Sequence, residues 1–317
     1  MLAAVMDRYG TPDVVRVAEV ARPVPGAGEV LVRVRASAVT SADSRIRGAR
    51  FPAGFGVPAR LMFGVVRPRR PTLGGSFSGV VEQVGSRVGD VAPGDEVCGM
   101  TGLSLGAHAE YVAVRADRLA RKPAEVTHED AAGLLFGGST ALFFLRDKAG
   151  LGPGASVLVN GASGAIGTNA VQLARHFGAT VTAVTSAANA ELVSKLGAER
   201  VIDYADGGLA ATTERFDVVL DAVGNLPIDS GRRLLSTRGV LLLVVAGLGE
   251  TLRARGNVVA GAAPERVSDF DLLLGLVARG EITVVLDQIY DLAGIADAHR
   301  RVDTGHKVGN VVVRVTR

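Results

Sequence analysis

The chain has 317 residues, 48% of them hydrophobic and 21% charged, with a formal net charge of +3. That length and apolar content suffice for two domains with substantial cores and exclude an intrinsically disordered chain. A lone cysteine, Cys98, excludes an intrachain disulfide and a thiolate-rich structural zinc site, and the small charge excess offers no footing for nucleic acid.

Asp7 and Arg8 interrupt the N-terminal residues, which lack the apolar core of a secretory signal, and the apolar stretch 239–249 is too short to cross a bilayer. A cytoplasmic protein without a membrane partner is the expectation. Residues 1–125 read as short strands punctuated by glycine and proline. Val30, Val32 and Val34 alternate with Leu31, Arg33 and Arg35, and further strands are expected over 79–84, 96–99 and 110–114. Turns such as Pro93-Gly94-Asp95 separate them, the pattern of a β-rich, barrel-like domain. Phe51, Phe55, Leu61 and Phe63 make one connecting loop apolar, suited either to line a substrate pocket or to cover the barrel. His108 and Glu110 share a strand face near Cys98, a pattern that favours structural roles over metal binding.

Helical stretches are expected over 128–134 and 139–148. The apolar run Val157-Leu158-Val159 then opens into a turn holding Gly161, Gly164 and Gly167. Ile166, Ala170, Leu173, Ala174 and Phe177 follow at helical spacing, so the last glycine falls at the start of an amphipathic helix. Free amides and the helix dipole at such a terminus favour an anion, and a dinucleotide diphosphate is the natural candidate. Gly161, Ser163, Gly164, Ala165 and Ile166 are its expected contacts.

A strand over 180–185, a helix over 190–196 and a strand over 200–202 complete βαβαβ, the mononucleotide-binding half of a Rossmann fold. Strands over 216–221 and 240–245 follow. Each ends in a small-residue turn, so Ala222, Val223, Ala246 and Gly247 should also meet the cofactor. A helix over 269–279, a strand over 288–292, a helix over 295–303 and a valine-rich strand over 310–315 close the chain. That last strand needs a sheet to join, and the β-rich first domain is the expected host. His128, His176 and His299 are read as helical surface residues.

Several segments together resemble the medium-chain dehydrogenase/reductase superfamily, in its zinc-independent, quinone-oxidoreductase-like branch. They are 36–43, 73–85, 93–97, 160–167, 196–204 and 305–312. The resemblance implies an α/β fold in which a doubly wound parallel Rossmann sheet, residues 126–281, is inserted in a GroES-like substrate domain formed by residues 1–125 and 282–317. It places Ser186, Asn189 and Tyr204 around the adenosine ribose, with no carboxylate to repel a 2′-phosphate, which favours NADPH over NADH. Thr40, Thr140, Thr185 and Asn310 complete the expected cofactor contacts, and Phe51, Phe55 and Phe63 the expected substrate lining. In zinc-dependent relatives metal ligands occur where this chain has Thr40 and the segment Gly74-Gly75-Ser76, so no metal site is expected.

A short-chain dehydrogenase is excluded because none of Tyr9, Tyr111, Tyr204 and Tyr290 has a lysine four residues on. The expected reaction is therefore hydride transfer, without zinc, to a quinone or an α,β-unsaturated carbonyl compound, which carries its own electron sink. In some relatives a tyrosine stands near Phe51, so the proton source stays open among solvent, a ribose hydroxyl and Thr40. The alternatives are a zinc-free alcohol or aldehyde oxidoreductase and a non-catalytic NADPH-binding protein. A homodimer is expected.

Overall fold

The alternating valines of the N-terminal region place one face of a long strand in a core. In the computed structural model, which describes residues 1–315, Val30, Val32 and Val34 are buried and Arg33 is exposed. A two-stranded sheet, β1 (Leu2–Val5) with β2 (Arg16–Glu19), precedes that strand, β3 (Glu29–Val39). Helices α1 (Ser41–Gly48) and α2 (Gly56–Phe63) follow, then β4 (Ser76–Val84), β5 (Glu96–Met100), β6 (Tyr111–Arg115) and β7 (Leu119–Arg121).

The middle of the chain alternates helix and strand. It comprises α3 (His128–Leu142), β8 (Ser156–Asn160), α4 (Ala165–His176), β9 (Thr180–Thr185), α5 (Ala190–Leu196) and β10 (Arg200–Asp203). It continues through β11 (Phe216–Asp221), α6 (Ile228–Arg233), β12 (Leu235–Leu243), α7 (Leu248–Arg253), β13 (Val258–Ala260) and α8 (Val267–Ala278). The six strands pair in parallel in the order β10-β9-β8-β11-β12-β13, the doubly wound Rossmann order. Successive residues of β8 serve opposite faces. Val157 and Val159 pack with Leu135, Phe144 and Leu173, whereas Leu158 packs with Val219 and Leu241. Burial on both faces is why this strand reads as an unbroken apolar run.

The chain then returns through β14 (Leu286–Asp291), α9 (Ile295–Asp303) and β15 (Asn310–Arg314). β15 pairs antiparallel with β3, Val311 opposite Val39, so the valine-rich tail joins the N-terminal sheet, whose order is β14-β15-β3-β4-β5-β7 with β6 on β3.

Three expectations change. The two helical stretches before β8 are one helix, α3, running on into a π-helical segment, Phe143–Lys148. Its glycines serve packing instead of breaking the helix, since a Cβ on Gly137 would stand 2.4 Å from the Ala165 carbonyl oxygen of α4. The helix after the glycine turn begins at Ala165, with Gly164 as its cap, ahead of Gly167. His299 is not a surface residue: it is fully buried on the inner face of α9, its ring edge-on to that of buried His108 at 5.8 Å.

Candidate cofactor and substrate site

A cavity of about 730 Å³ lies beyond the carboxyl ends of β8 and β11. This is where the strand order reverses, the place where open parallel sheets bind ligands. Gly161 turns the chain out of β8 at φ +80°, and Gly167 lets the helix close on that turn, since a Cβ there would meet the Gly161 carbonyl oxygen at 2.1 Å. No side chain caps α4, so its first-turn amides are left for a ligand in the cavity.

The next strand supplies a polar network. Thr185 Oγ1 donates to Ser163 Oγ at 2.8 Å, and Asn189 Nδ2 donates to the same oxygen at 3.2 Å. Beside them Ser186 lines the cavity with Tyr204, whose side chain is mostly exposed. On the other side of the switch point, buried Asp221 accepts from Asn160 Nδ2 and from the amides of Val223, Gly224 and Leu226, at 2.9–3.1 Å. These bonds hold Ala222 and Val223 at the cavity wall.

The structure thus brings together Thr40, Gly161, Ser163, Gly164, Ala165, Ile166, Thr185, Ser186, Asn189, Tyr204, Ala222, Val223 and Asn310 around one space. Other expected contacts do not line it. Thr140 faces back along α3, where its hydroxyl donates to the Phe136 carbonyl. Gly247 follows Ala246 to the start of α7 and packs on Ala53, and the Leu248 amide donates to the Ala53 carbonyl at 2.7 Å, so this loop is covered by the segment that follows α1. Phe51 and Phe63 stack on one another at 6.0 Å, Phe63 closing a small core of Met6, Leu73 and Leu105, while Phe55 precedes α2. None of the three phenylalanines lines this cavity.

Thr40 lines the cavity as the cap of α1, but its hydroxyl donates to Asp43 at 2.6 Å. Its proton is directed into the capping box and away from a substrate.

Several lining residues went unrecognised in the sequence. Arg45 on α1 and Lys307 after α9 are among them, and no lining residue is a carboxylate. Burial pushes the Lys307 ammonium down to about 8, with Asp287 opposing the shift and Arg301 adding to it. Neither cation carries a sequence signal, because each reaches the cavity only once the tail folds back onto the first domain. A cavity without carboxylates, set over a helix N-terminus and rimmed by cations, suits an anionic dinucleotide.

The residues present do not fit a catalytic zinc. Among the described residues no three His, Cys, Asp or Glu side chains come together to hold a metal. Cys98 is buried with its thiol pushed up to about 12, His108 contacts the Ala38 carbonyl through Nε2 at 3.0 Å, and Glu110 accepts the Leu2 amide.

A dinucleotide-binding sheet inserted beside a barrel-like sheet, with its cleft lined as above, defines an NAD(P)-dependent oxidoreductase. Residues 26–124 match the alcohol dehydrogenase GroES-like domain, and residues 196–313 match the family described as zinc-binding dehydrogenase. The chain belongs to the medium-chain dehydrogenase/reductase superfamily, in its quinone-oxidoreductase-like branch.

The human mitochondrial NAD(P)H oxidoreductase is 31% identical, over 99% of this chain and 89% of its own length. A 2-methylene-furan-3-one reductase of Solanum lycopersicum is 30% identical, over 96% of this chain and 76% of its own. Among solved structures, the quinone oxidoreductase of Coxiella burnetii superposes with a TM-score of 0.90 at 28% identity, over 100% of this chain and 99% of that one. The NADPH complex of Escherichia coli quinone oxidoreductase shares the fold, with a TM-score of 0.85 at 24% identity over 99% and 100% of the two chains.

Proposed function

We propose that this protein uses NADPH to reduce quinones or α,β-unsaturated carbonyl compounds without a bound metal. The observation that carries the reading is the carboxylate-free cavity at the N-terminus of α4, with Ser186, Asn189 and Tyr204 at its ribose end. The names of the relatives support it, since they include NAD(P)H oxidoreductase, NADPH-dependent alkenal/one oxidoreductase and 2-methylene-furan-3-one reductase.

In this reading the amides of Ala165 and Ile166 and the Lys307 ammonium meet the diphosphate, and Ser186, Asn189 and Tyr204 the adenosine ribose. Ala222, Val223 and Asn310 flank the remainder. When bound, the cofactor supplies hydride to a carbon made electrophilic by conjugation. The donor set around Thr40 and Gly75 argues against zinc, so the substrate must carry its own electron sink. The reading extends to a cytoplasmic homodimer, which light scattering and cell fractionation test.

NADPH consumption by purified protein across a panel of enones, quinones, aldehydes and alcohols tests the function. Turnover confined to conjugated acceptors is expected. Turnover with simple aldehydes alone would point to the alcohol/aldehyde reading, and tight NADPH binding with no turnover to a binding protein.

A further inference from the structure

We propose that Arg45 is a catalytic residue that holds the carbonyl oxygen of the conjugated substrate and stabilises the negative charge which that oxygen acquires. The inference rests on the reductase reading above.

Three arginines at and just beyond α1 have different fates. Arg47 is wholly buried, donates to the Gly10 carbonyl at 2.8 Å and pairs with Asp303. Arg50 pairs with the same carboxylate at 2.9 Å. The half-buried side chain of Arg45 has no hydrogen-bond or ion-pair partner among the described residues, and it lines the cavity. Ser41, one turn earlier on the same helix face, lines it too.

A guanidinium has its donors in a planar fork, and holding it half-desolvated without an acceptor is unfavourable. Burial lowers its pKa from the ordinary value, yet an arginine remains protonated. The arrangement is relieved when a ligand brings an oxygen. Of the two ligands expected in the cleft, the diphosphate is met elsewhere, by the α4 amides and by Lys307. The Lys307 ammonium donates to the carbonyl of Gly309, and Gly309 is bridged to Gly164. Arg45 stands instead on the wall built by Val39, Thr40 and Ser41, which belongs to the other domain.

The chemistry creates charge at such an oxygen. Hydride addition at the β-carbon of an enone forms a C–H bond and moves the alkene electron pair toward the carbonyl carbon. The carbonyl π pair then moves onto oxygen, giving an enolate. The enone gains the two electrons that the reduced nicotinamide loses. Arg45 N–H groups donate to the enolate oxygen throughout, and water delivers the proton to the α-carbon, leaving hydroxide. Arg45 is thus the electrostatic partner of the oxygen and not the acid, so Thr40 need not give up its proton. For a quinone the same charge appears on a phenolate oxygen.

Arg45→Gln and Arg45→Lys, each with folding checked by circular dichroism, test this. Removing a preorganised donor from an oxyanion costs about 10²–10³ in kcat, so Arg45→Gln is expected to lose about 10²-fold, with NADPH affinity retained. The lysine variant should recover part of the loss. A second readout needs no turnover: 4-nitrophenol bound to wild type should ionise at a lower pH than in solution, and the glutamine variant should abolish that shift. If Arg45→Gln does not fold, the phenol titration of Arg45→Lys decides, with an undiminished shift overturning the proposal. A parallel fall in NADPH affinity would place the guanidinium on cofactor phosphate and overturn it, as would wild-type kcat in a folded Arg45→Gln. These results leave the reductase reading intact, whereas a wild-type protein that turns over no conjugated acceptor refutes that reading itself.

Discussion

Gly309 donates its backbone N–H to the carbonyl of Ser163 at 2.8 Å, and the bridge continues to Gly164. The tail that completes the barrel sheet is therefore stapled to the turn that opens the Rossmann helix. Lys307, two residues earlier, lines the same cavity as that turn.

Gly164→Asp should abolish NADPH binding and leave the fold intact. At φ −79° the backbone suits any L-residue, and a Cβ there would have only the Gly161 carbonyl oxygen near it, at 3.5 Å. The new carboxylate would face the diphosphate. Like charges about 4 Å apart repel by about 4 kcal/mol at an effective dielectric constant near 20, a loss of about 10³-fold in affinity. Circular dichroism and thermal melting check the fold and fluorescence titration checks the site. Near-normal affinity would reduce the glycine turn to a structural connection.

NADPH should bind more tightly than NADH, by a modest ratio. Ser186, Asn189 and Tyr204 offer neutral hydrogen bonds, about half as strong as charge-assisted ones. Competitive titration of the two cofactors measures the ratio, and equal or tighter NADH binding contradicts the ribose assignment.

NADPH affinity should fall as pH rises through about 8. Lys307 has a folded-state pKa depressed from 10.5 to about 8, so the apoprotein carries its charge only below that value. A charged Lys307 attracts the diphosphate, so binding takes up protons and is strongest on the acid side. Asp287 and Arg301 are the other charges acting on it. In the apoprotein the sign is opposite for stability. Between about 8 and 10.5 the unfolded chain binds more protons, and this lysine's unfavourable contribution is relieved as pH rises. Titrations across this range on wild type and Lys307→Met decide the matter, and an unchanged dependence in the variant rules Lys307 out as its cause.

Activity should survive dialysis against a chelator, and purified protein should lack stoichiometric metal. The expectation follows from Thr40 and Gly75 at the positions where zinc-dependent relatives place ligands. Loss of activity restored by about one zinc per chain would show that this argument from donor residues is wrong.

Gly137→Ala should destabilise the protein by about 1–3 kcal/mol, as overpacking does. The added Cβ would stand 2.4 Å from a backbone oxygen of α4, so the two helices must separate. Urea unfolding measures the loss, and a variant as stable as wild type would show that the helices adjust freely.

The elements most legible in the sequence were those whose cause is local. Val157-Leu158-Val159 read as an apolar strand, and the glycines after it marked the turn into a helix. The βαβαβ alternation from there to β10 followed from period and punctuation alone. Reading α3 as two helices failed because Gly133, Gly137 and Gly138 look the same whether they end a helix or admit a neighbour. Thr140 and the phenylalanine loop do not line the cavity for a related reason: composition shows that a side chain is polar or apolar but not which way it faces.

The amino-acid sequence by itself determined the Rossmann half, the glycine turn at the start of its first helix and the serine, in place of a carboxylate, just after the second strand, because each is written in neighbouring residues. Tertiary structure alone decided that Arg45 and Lys307, 262 positions apart, line one cavity, and that His299 is buried against His108. Those arrangements come from β15 pairing with β3 and the tail bonding to Ser163. Long-range closure of that kind depends on which surfaces can be buried together, which no local pattern encodes.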